Sequence, residues 1–343
     1  MRVSALEDLI GNTPLIRLNS AGNSQRCVDV YGKLEALNPA GSVKDRTARQ
    51  LLKQAEIDHG LSEDWTIVES TSGNMGHALA MLCAIKKYRF ICVLDPKTPK
   101  SNIALVNAFG GIVKMVETPD ETGNYQKKRI AVAKALAAEL PDCINLDQYN
   151  NPAAIEAHFT TTGPELYAQT GGNIDVLVGS ASTGSHLSGT AKYLKMKDPR
   201  IHVIGVEPLG SVVFGGTYHS YLQNGAGLSF QPGNLLMNCI NEIIKVPDGE
   251  AFAMCHKLAR NEGLLLGGSS GAVTYAAEQY AKRSTAPCVI VAILPDDGLK
   301  YLETIYDDQW LQARGLPHWL MMKENRTTPA TACGHSQSTC LPR

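Results

Sequence analysis

The sequence has little that would tie it to nucleic acid, a membrane or a disulfide frame. Net charge over 343 residues is −1, so no basic surplus points toward a polyanionic partner. The longest apolar runs, such as residues 289–294, have strand length and fall far short of a bilayer span. The opening Met1-Arg-Val-Ser-Ala-Leu-Glu-Asp lacks the apolar stretch and small-residue cleavage site of a secretory signal, and the expected location is cytoplasmic. No CxxC pair occurs among the nine cysteines, and neither a structural zinc nor a thioredoxin-type site is expected. Cys83, Cys92, Cys143, Cys239, Cys255 and Cys288 sit in apolar stretches, where a free thiol packs as a small hydrophobe.

What is present is alternation. Short Val/Ile-rich runs at 28–34, 66–69, 90–94, 112–116, 176–179, 203–206, 243–246 and 289–294 read as strands. Helical patterns at 43–58, 76–87, 100–109, 126–140, 186–195, 250–261 and 271–282 fall between them. Such alternation predicts an α/β protein with mainly parallel sheets flanked by helices, and ligands gather at the carboxyl ends of such strands. The length favours two lobes, with the cleft between them as the default site. From about Lys323 the chain turns polar and Thr/Ser-rich and reads as a disordered tail. Cys333 and His335 there have the chemistry of metal ligands, but a solvated tail is the expected role.

Four segments carry chemistry. Asn38-Pro-Ala-Gly-Ser-Val-Lys-Asp-Arg runs a turn into a helix with Lys44 in its first turn. The positive end of the helix dipole there favours a neutral amine, as a Schiff-base lysine needs. Glu69-Ser-Thr-Ser-Gly-Asn-Met-Gly follows a strand and opens a helix, so Thr71, Ser72, Gly73 and their N–H groups form a candidate carboxylate or phosphate cradle; the alternative is a plain helix cap. Val178-Gly-Ser-Ala-Ser-Thr-Gly-Ser-His-Leu-Ser-Gly has phosphate-cup composition without a nucleotide-binding fingerprint. Gly267-Gly-Ser-Ser-Gly-Ala is a tight turn opening another helix. Two anion cradles and a poised lysine suggest a phosphorylated carbonyl cofactor and a carboxylate substrate.

Together these segments resemble the cysteine synthase/cystathionine β-synthase family of fold-type II pyridoxal-phosphate enzymes. Gly11-Asn-Thr-Pro-Leu, Asp147-Gln-Tyr and Thr161-Thr-Gly-Pro-Glu match further family motifs, in family order, over about residues 5 to 315. The resemblance implies pyridoxal 5′-phosphate (PLP) as cofactor, amino-acid substrates and a homodimer. It implies two lobes, residues 1–38 with 149–322 forming the larger and 39–148 the smaller, each with a mainly parallel twisted sheet. Lys44 resembles the Schiff-base lysine and proton shuttle, and Asn74 the partner of the pyridoxal 3′-oxygen. Thr71, Ser72, Gly73 and Gln148 resemble the substrate-carboxylate clamp. Ser182, Thr183, Gly184 and Ser185 resemble the cofactor-phosphate loop, closed by His186 where the family pattern has Thr, Gly or Ser. Ser269 resembles the hydroxyl at the pyridine nitrogen, which cannot keep that nitrogen protonated and so favours expulsion of a β-leaving group through an aminoacrylate.

Phe90-Ile-Cys-Val-Leu-Asp-Pro, Gly123-Asn-Tyr-Gln-Lys-Lys-Arg-Ile, Gly205-Val-Glu-Pro-Leu-Gly-Ser-Val-Val-Phe-Gly-Gly and Leu294-Pro-Asp-Asp-Gly-Leu-Lys-Tyr-Leu resemble one branch. That branch makes N-(2-amino-2-carboxyethyl)-L-glutamate, a 2,3-diaminopropionate precursor for siderophores and antibiotics, from O-phospho-L-serine and L-glutamate. Arg129 is the candidate for the substrate phosphate, with a solvated helix face as the alternative. His77 reads as a buried first-turn histidine or a substrate contact. The Thr161–Glu165 motif resembles ordinary cysteine synthases, and a cysteine synthase using sulfide is the alternative enzyme. A non-catalytic scaffold that binds a partner's peptide in the cleft is the alternative of another class.

Overall fold

Ten strands form two separate sheets in the computed structural model, which describes residues 3–23, 26–121 and 123–316. The polar tail, with Cys333 and His335, lies outside the described residues. The strands are β1 (Leu15–Arg17), β2 (Val28–Leu34), β3 (Thr66–Ser70), β4 (Arg89–Leu94), β5 (Ile112–Met115), β6 (Cys143–Asn145), β7 (Val176–Ser180), β8 (His202–Pro208), β9 (Glu242–Val246) and β10 (Cys288–Leu294). The larger sheet runs β1-β2-β10-β7-β8-β9, parallel except for the β1–β2 pair. The smaller runs β5-β4-β3-β6 and is parallel throughout. All eight sequence-predicted strands are present. The two that were missed, β1 and β6, are three residues each and carry no periodicity to read.

Ten helices cover these sheets: α1 (Lys44–His59), α2 (Asn74–Lys86), α3 (Lys100–Ala108), α4 (Gln126–Glu139), α5 (Ala153–Phe159), α6 (Thr162–Gln169), α7 (Ser185–Lys197), α8 (Asp248–Glu262), α9 (Gly268–Arg283) and α10 (Asp308–Gln312). The short α5, α6 and α10 were not predicted, being too brief for a helical repeat to show. Packing follows side-chain period. Along β7, Val176 and Val178 enter the core beneath α8 and α9, while Leu177 between them points to the opposite core beside α7. Both faces being covered, the central strands read as continuous apolar runs. In α1, Ala48, Leu51, Leu52 and Ala55 form the buried stripe, and Gly60, at φ 63°, ends the helix in the left-handed conformation.

This wiring decides where chemistry occurs. The carboxyl ends of β3, β4 and β7 lead into 71–73, 95–99 and 181–184, and each of those loops delivers a helix N-terminus. β10 ends at Leu294 and passes into 295–298, which folds back across the first turns of α1 and α9: Val43 N donates to Pro295 O at 2.8 Å and Gly267 N to Asp296 O at 3.3 Å.

Candidate active site

Lys44 opens α1, with its backbone N–H on Ser42 Oγ at 3.2 Å. Its side chain reaches the cleft, where Nζ donates to Thr183 Oγ1 at 3.3 Å. Burial lowers its pKa to about 8, with the Asp296 carboxylate opposing the fall. The helix terminus was the expected cause; removal from water is the larger one.

Thr71, Ser72, Gly73, Asn74 and Gln148 line the same cavity, whose volume is about 480 Å³. Gly73 N donates back to Thr71 Oγ1 at 3.3 Å. Gln148 Nε2 donates to Ser70 O at 3.0 Å, and its backbone N–H meets Glu69 Oε2 at 3.2 Å. Burial pushes the Glu69 carboxyl up to about 8, while the Gln148 and Ser70 backbone N–H groups oppose that. Asn74 is held from both sides: its Nδ2 donates to Asp296 Oδ2 at 2.8 Å and its Oδ1 accepts from Lys300 Nζ at 2.9 Å. Tyr301 OH donates to the same Asp296 oxygen at 2.7 Å.

Across the cleft, Ser182 and Thr183 line the wall, and Gly184, Ser185 and His186 continue the turn into α7 behind it. Gly184 has φ 82°, and a Cβ there would stand 2.9 Å from Leu235 Cα, so the turn needs glycine on both counts. Thr183 Oγ1 and Ser185 Oγ lie 3.1 Å apart. Both ring nitrogens of His186 are buried without a hydrogen-bond partner, and burial with the nearby Lys44 charge holds the imidazole down to about 3, so it is neutral. Its ring packs edge-on against His158 at 6.1 Å. His158 is pinned between Thr47 Oγ1 and Thr162 Oγ1. Ser269 is buried in the first turn of α9, off the cavity wall. Its turn packs on Asp296: a Cβ on Gly267 would lie 2.1 Å from Asp296 Oδ1. His77 is buried in α2, away from the cavity wall.

Arg129 is not on a solvated face. It is 4% exposed, lines the cavity, and lies 3.0 Å from Asp95 through Nη1. That contact lacks hydrogen-bond alignment, and Nη1 and Nε remain buried without an acceptor. An unpaired buried donor is costly, and such groups mark ligand positions.

Several residues on or near the wall escaped the sequence reading. Asp95, Asp296, Lys300 and Tyr301 were inside quoted motifs, but nothing local gave them partners. Other motif residues have a structural explanation. Arg46 is fully buried and bonds Glu35 at 2.7 and 2.9 Å, Glu165 at 2.6 and 2.7 Å, and Thr13 Oγ1 at 3.1 Å. Lys33 Nζ joins at 2.7 Å from Glu165. The matched segments 11–15, 38–46 and 161–165 therefore meet in one ionic cluster beneath α1.

The donor set suits PLP. The cleft holds a partly neutralised lysine, a hydroxyl- and N–H-rich turn with an orphaned imidazole behind it, and an anchored amide. A Cβ on Gly73 would meet nothing, and one on Gly225 would stay 4.0 Å from Asn74 Nδ2, so there is room for a flat ring and its substituents. Among the described residues no group of His, Cys, Asp and Glu is placed to hold a metal, the cysteines are free thiols, and no helix is long and apolar enough to cross a membrane.

Comparison with known proteins agrees with this geometry. Residues 6–296 match the family model described as pyridoxal-phosphate dependent enzyme. The N-(2-amino-2-carboxyethyl)-L-glutamate synthase of Ralstonia nicotianae is 37% identical over 311 residues, 91% of this chain and 92% of that protein. The synthase of the same name from Cupriavidus metallidurans is 38% identical over 315 residues, 91% and 92% of the two chains. The crystal structure of an O-ureido-L-serine synthase superposes with a TM-score of 0.84 at 32% identity, covering 91% of this chain and all of that one.

Proposed function

The chain belongs to the pyridoxal-phosphate dependent enzyme family, and on that premise we propose that it replaces the β-substituent of O-phospho-L-serine with L-glutamate. The product is N-(2-amino-2-carboxyethyl)-L-glutamate, a 2,3-diaminopropionate precursor for a siderophore or peptide natural product, made by a cytoplasmic homodimer. Bound at Lys44, PLP supplies an electron sink for negative charge at the substrate α-carbon.

The chain's own groups do the rest. Lys44 Nζ, with its lowered pKa, takes the α-proton and later returns it at the same carbon. Thr71, Ser72, Gly73 and Gln148 hold the substrate α-carboxylate at the N-terminus of α2. Asn74, fixed by Asp296 and Lys300, would meet the cofactor's 3′-oxygen. Ser182, Thr183, Gly184 and Ser185 would hold its phosphate, with the neutral, unpartnered His186 behind the same turn. Ser269 would meet the pyridine nitrogen only from the first turn of α9, behind the cavity wall. Arg129 takes the leaving phosphate.

Arg129 is the observation that carries the choice of donor: a buried guanidinium with unpartnered N–H groups on the wall of the cleft that Lys44 enters. Within the Thr161–Glu165 motif, Glu165 is engaged with Arg46 and Lys33 in the frame. Incubating the PLP-loaded protein with phosphoserine and either glutamate or sulfide, and weighing the products, tests the reading. A glutamate adduct is expected; cysteine as the sole product would overturn it.

A further inference from the structure

Asp95 is the one acidic side chain on the cleft wall among the described residues. Two other carboxylates lie close by, but both are engaged in the frame. Glu69 accepts from Ser70 N and Gln148 N, and Asp296 accepts from Asn74 and Tyr301. Asp95 follows β4 and is 6% exposed. Its Oδ1 accepts from Lys97 N at 2.9 Å, and its Oδ2 lies 3.0 Å from Arg129 Nη1. Two carboxylate oxygens offer about four acceptor positions, so these contacts leave capacity facing the cavity.

The two nucleophile classes that fit a β-replacement are both net anions when the amine is glutamate, and they differ in the charge of the attacking group. Sulfide arrives as an anion, and a wall carboxylate repels it. An amino acid's amino group arrives as an ammonium at neutral pH, and a half-desolvated carboxylate attracts it. The contact with Arg129 does not use up the acceptors of the Asp95 carboxylate. The motif that carries Asp95 has no other assigned task in the cleft.

We infer that Asp95 receives the ammonium group of the incoming nucleophile, which gives one proton to solvent water before its freed lone pair attacks the β-carbon, and that this contact sets the preference for an amine over sulfide. The inference rests on the proposed β-replacement with glutamate and names the residue that selects the second substrate. Asp95 also lies 3.0 Å from Arg129, so the first half of the reaction is measured separately from the choice of nucleophile.

The test uses the PLP-loaded full-length protein and its Asp95→Asn and Asp95→Glu variants, with phosphoserine as donor. Asparagine keeps a carbonyl oxygen for Lys97 N and removes the charge. The rate of the visible spectral change with phosphoserine alone is measured in Asp95→Asn, and because both nucleophiles meet the same intermediate, a change in that rate cancels from their ratio. The ratio of kcat/KM for glutamate to that for sulfide should fall by at least about tenfold, the size of a modest ion-pair loss of about 1.4 kcal/mol. Asp95→Glu, which keeps the charge, should retain a ratio nearer the parent's. An unchanged ratio in Asp95→Asn, or a parallel loss of both nucleophiles, would confine Asp95 to holding Arg129 and the 95–97 turn and overturn the inference. A parent protein that makes no amine adduct sinks the functional reading and the inference together. A parent that makes the glutamate adduct while the variant keeps its ratio sinks the inference alone.

Discussion

Two buried arginines, Arg46 in the first turn of α1 and Arg129 in α4, separate the two kinds of charge in this molecule. Arg46 is surrounded by acceptors: two carboxylates and a threonine hydroxyl take its N–H groups. Arg129 is nearly as buried but has one carboxylate beside it, poorly aligned, and donors with no acceptor. A satisfied buried cation is part of the frame, because removing either partner strands a charge. An unsatisfied one beside a cavity is held ready for something that arrives. The difference lies in partners rather than in burial.

Lys44 stands between these cases and gives the largest expected effect. Its amine has a single weak contact and a pKa near 8. Lys44→Ala should abolish turnover and remove the visible band of the loaded protein while leaving thermal unfolding close to the parent's; surviving turnover would break the central assignment. Arg46→Met should act in the opposite sense, destabilising the fold by about 3–5 kcal/mol in denaturant titrations by stranding Glu35 and Glu165. Equal stability would erase the contrast between the two arginines.

Arg129→Gln should cost less stability than Arg46→Met, because it strands one carboxylate, Asp95 on the cavity wall, rather than two. It should lower kcat/KM for phosphoserine by roughly 30-fold, the worth of about 2 kcal/mol from lost charged hydrogen bonds. With a donor whose leaving group is uncharged, such as O-acetylserine, the loss should be much smaller. A loss shared equally by both donors would return Arg129 to the frame.

The smallest expected effect is in pH dependence. Burial pushes the Glu165 carboxyl up, but Arg46 and Lys33 outweigh it and hold it down to about 2, against an ordinary 4.5. A depressed carboxyl contributes stability that is present above its unfolded pKa and lost as pH falls through the folded value. The stability gap between the parent and Glu165→Gln should therefore narrow between about pH 4.5 and 2 and stay constant above pH 6. A gap independent of pH would mean that Glu165 holds Arg46 by shape alone.

Much of this was legible before any coordinates. Alternation of short apolar runs with helical patterns required parallel sheets, since strands buried on both faces carry apolar side chains at every position. Turns rich in Gly, Ser, Thr and Asn between strand and helix marked where N–H groups would be left over for an anion, because the first turn of any helix has unused donors. Lys44 and the 182–186 loop were visible on those grounds, and family resemblance supplied their roles.

What the chain order could not supply was partnership. Arg46 meets Glu165 across 119 positions and Asn74 meets Asp296 across 222. Local propensity and periodicity act over a few residues, so the sequence determined the elements, the turns and the list of chemically capable side chains. Only tertiary packing decided which charges would be surrounded by acceptors and which would be left facing a cavity. The cost of a buried charge depends on its desolvation and its neighbours, and both are set by segments far apart in the chain.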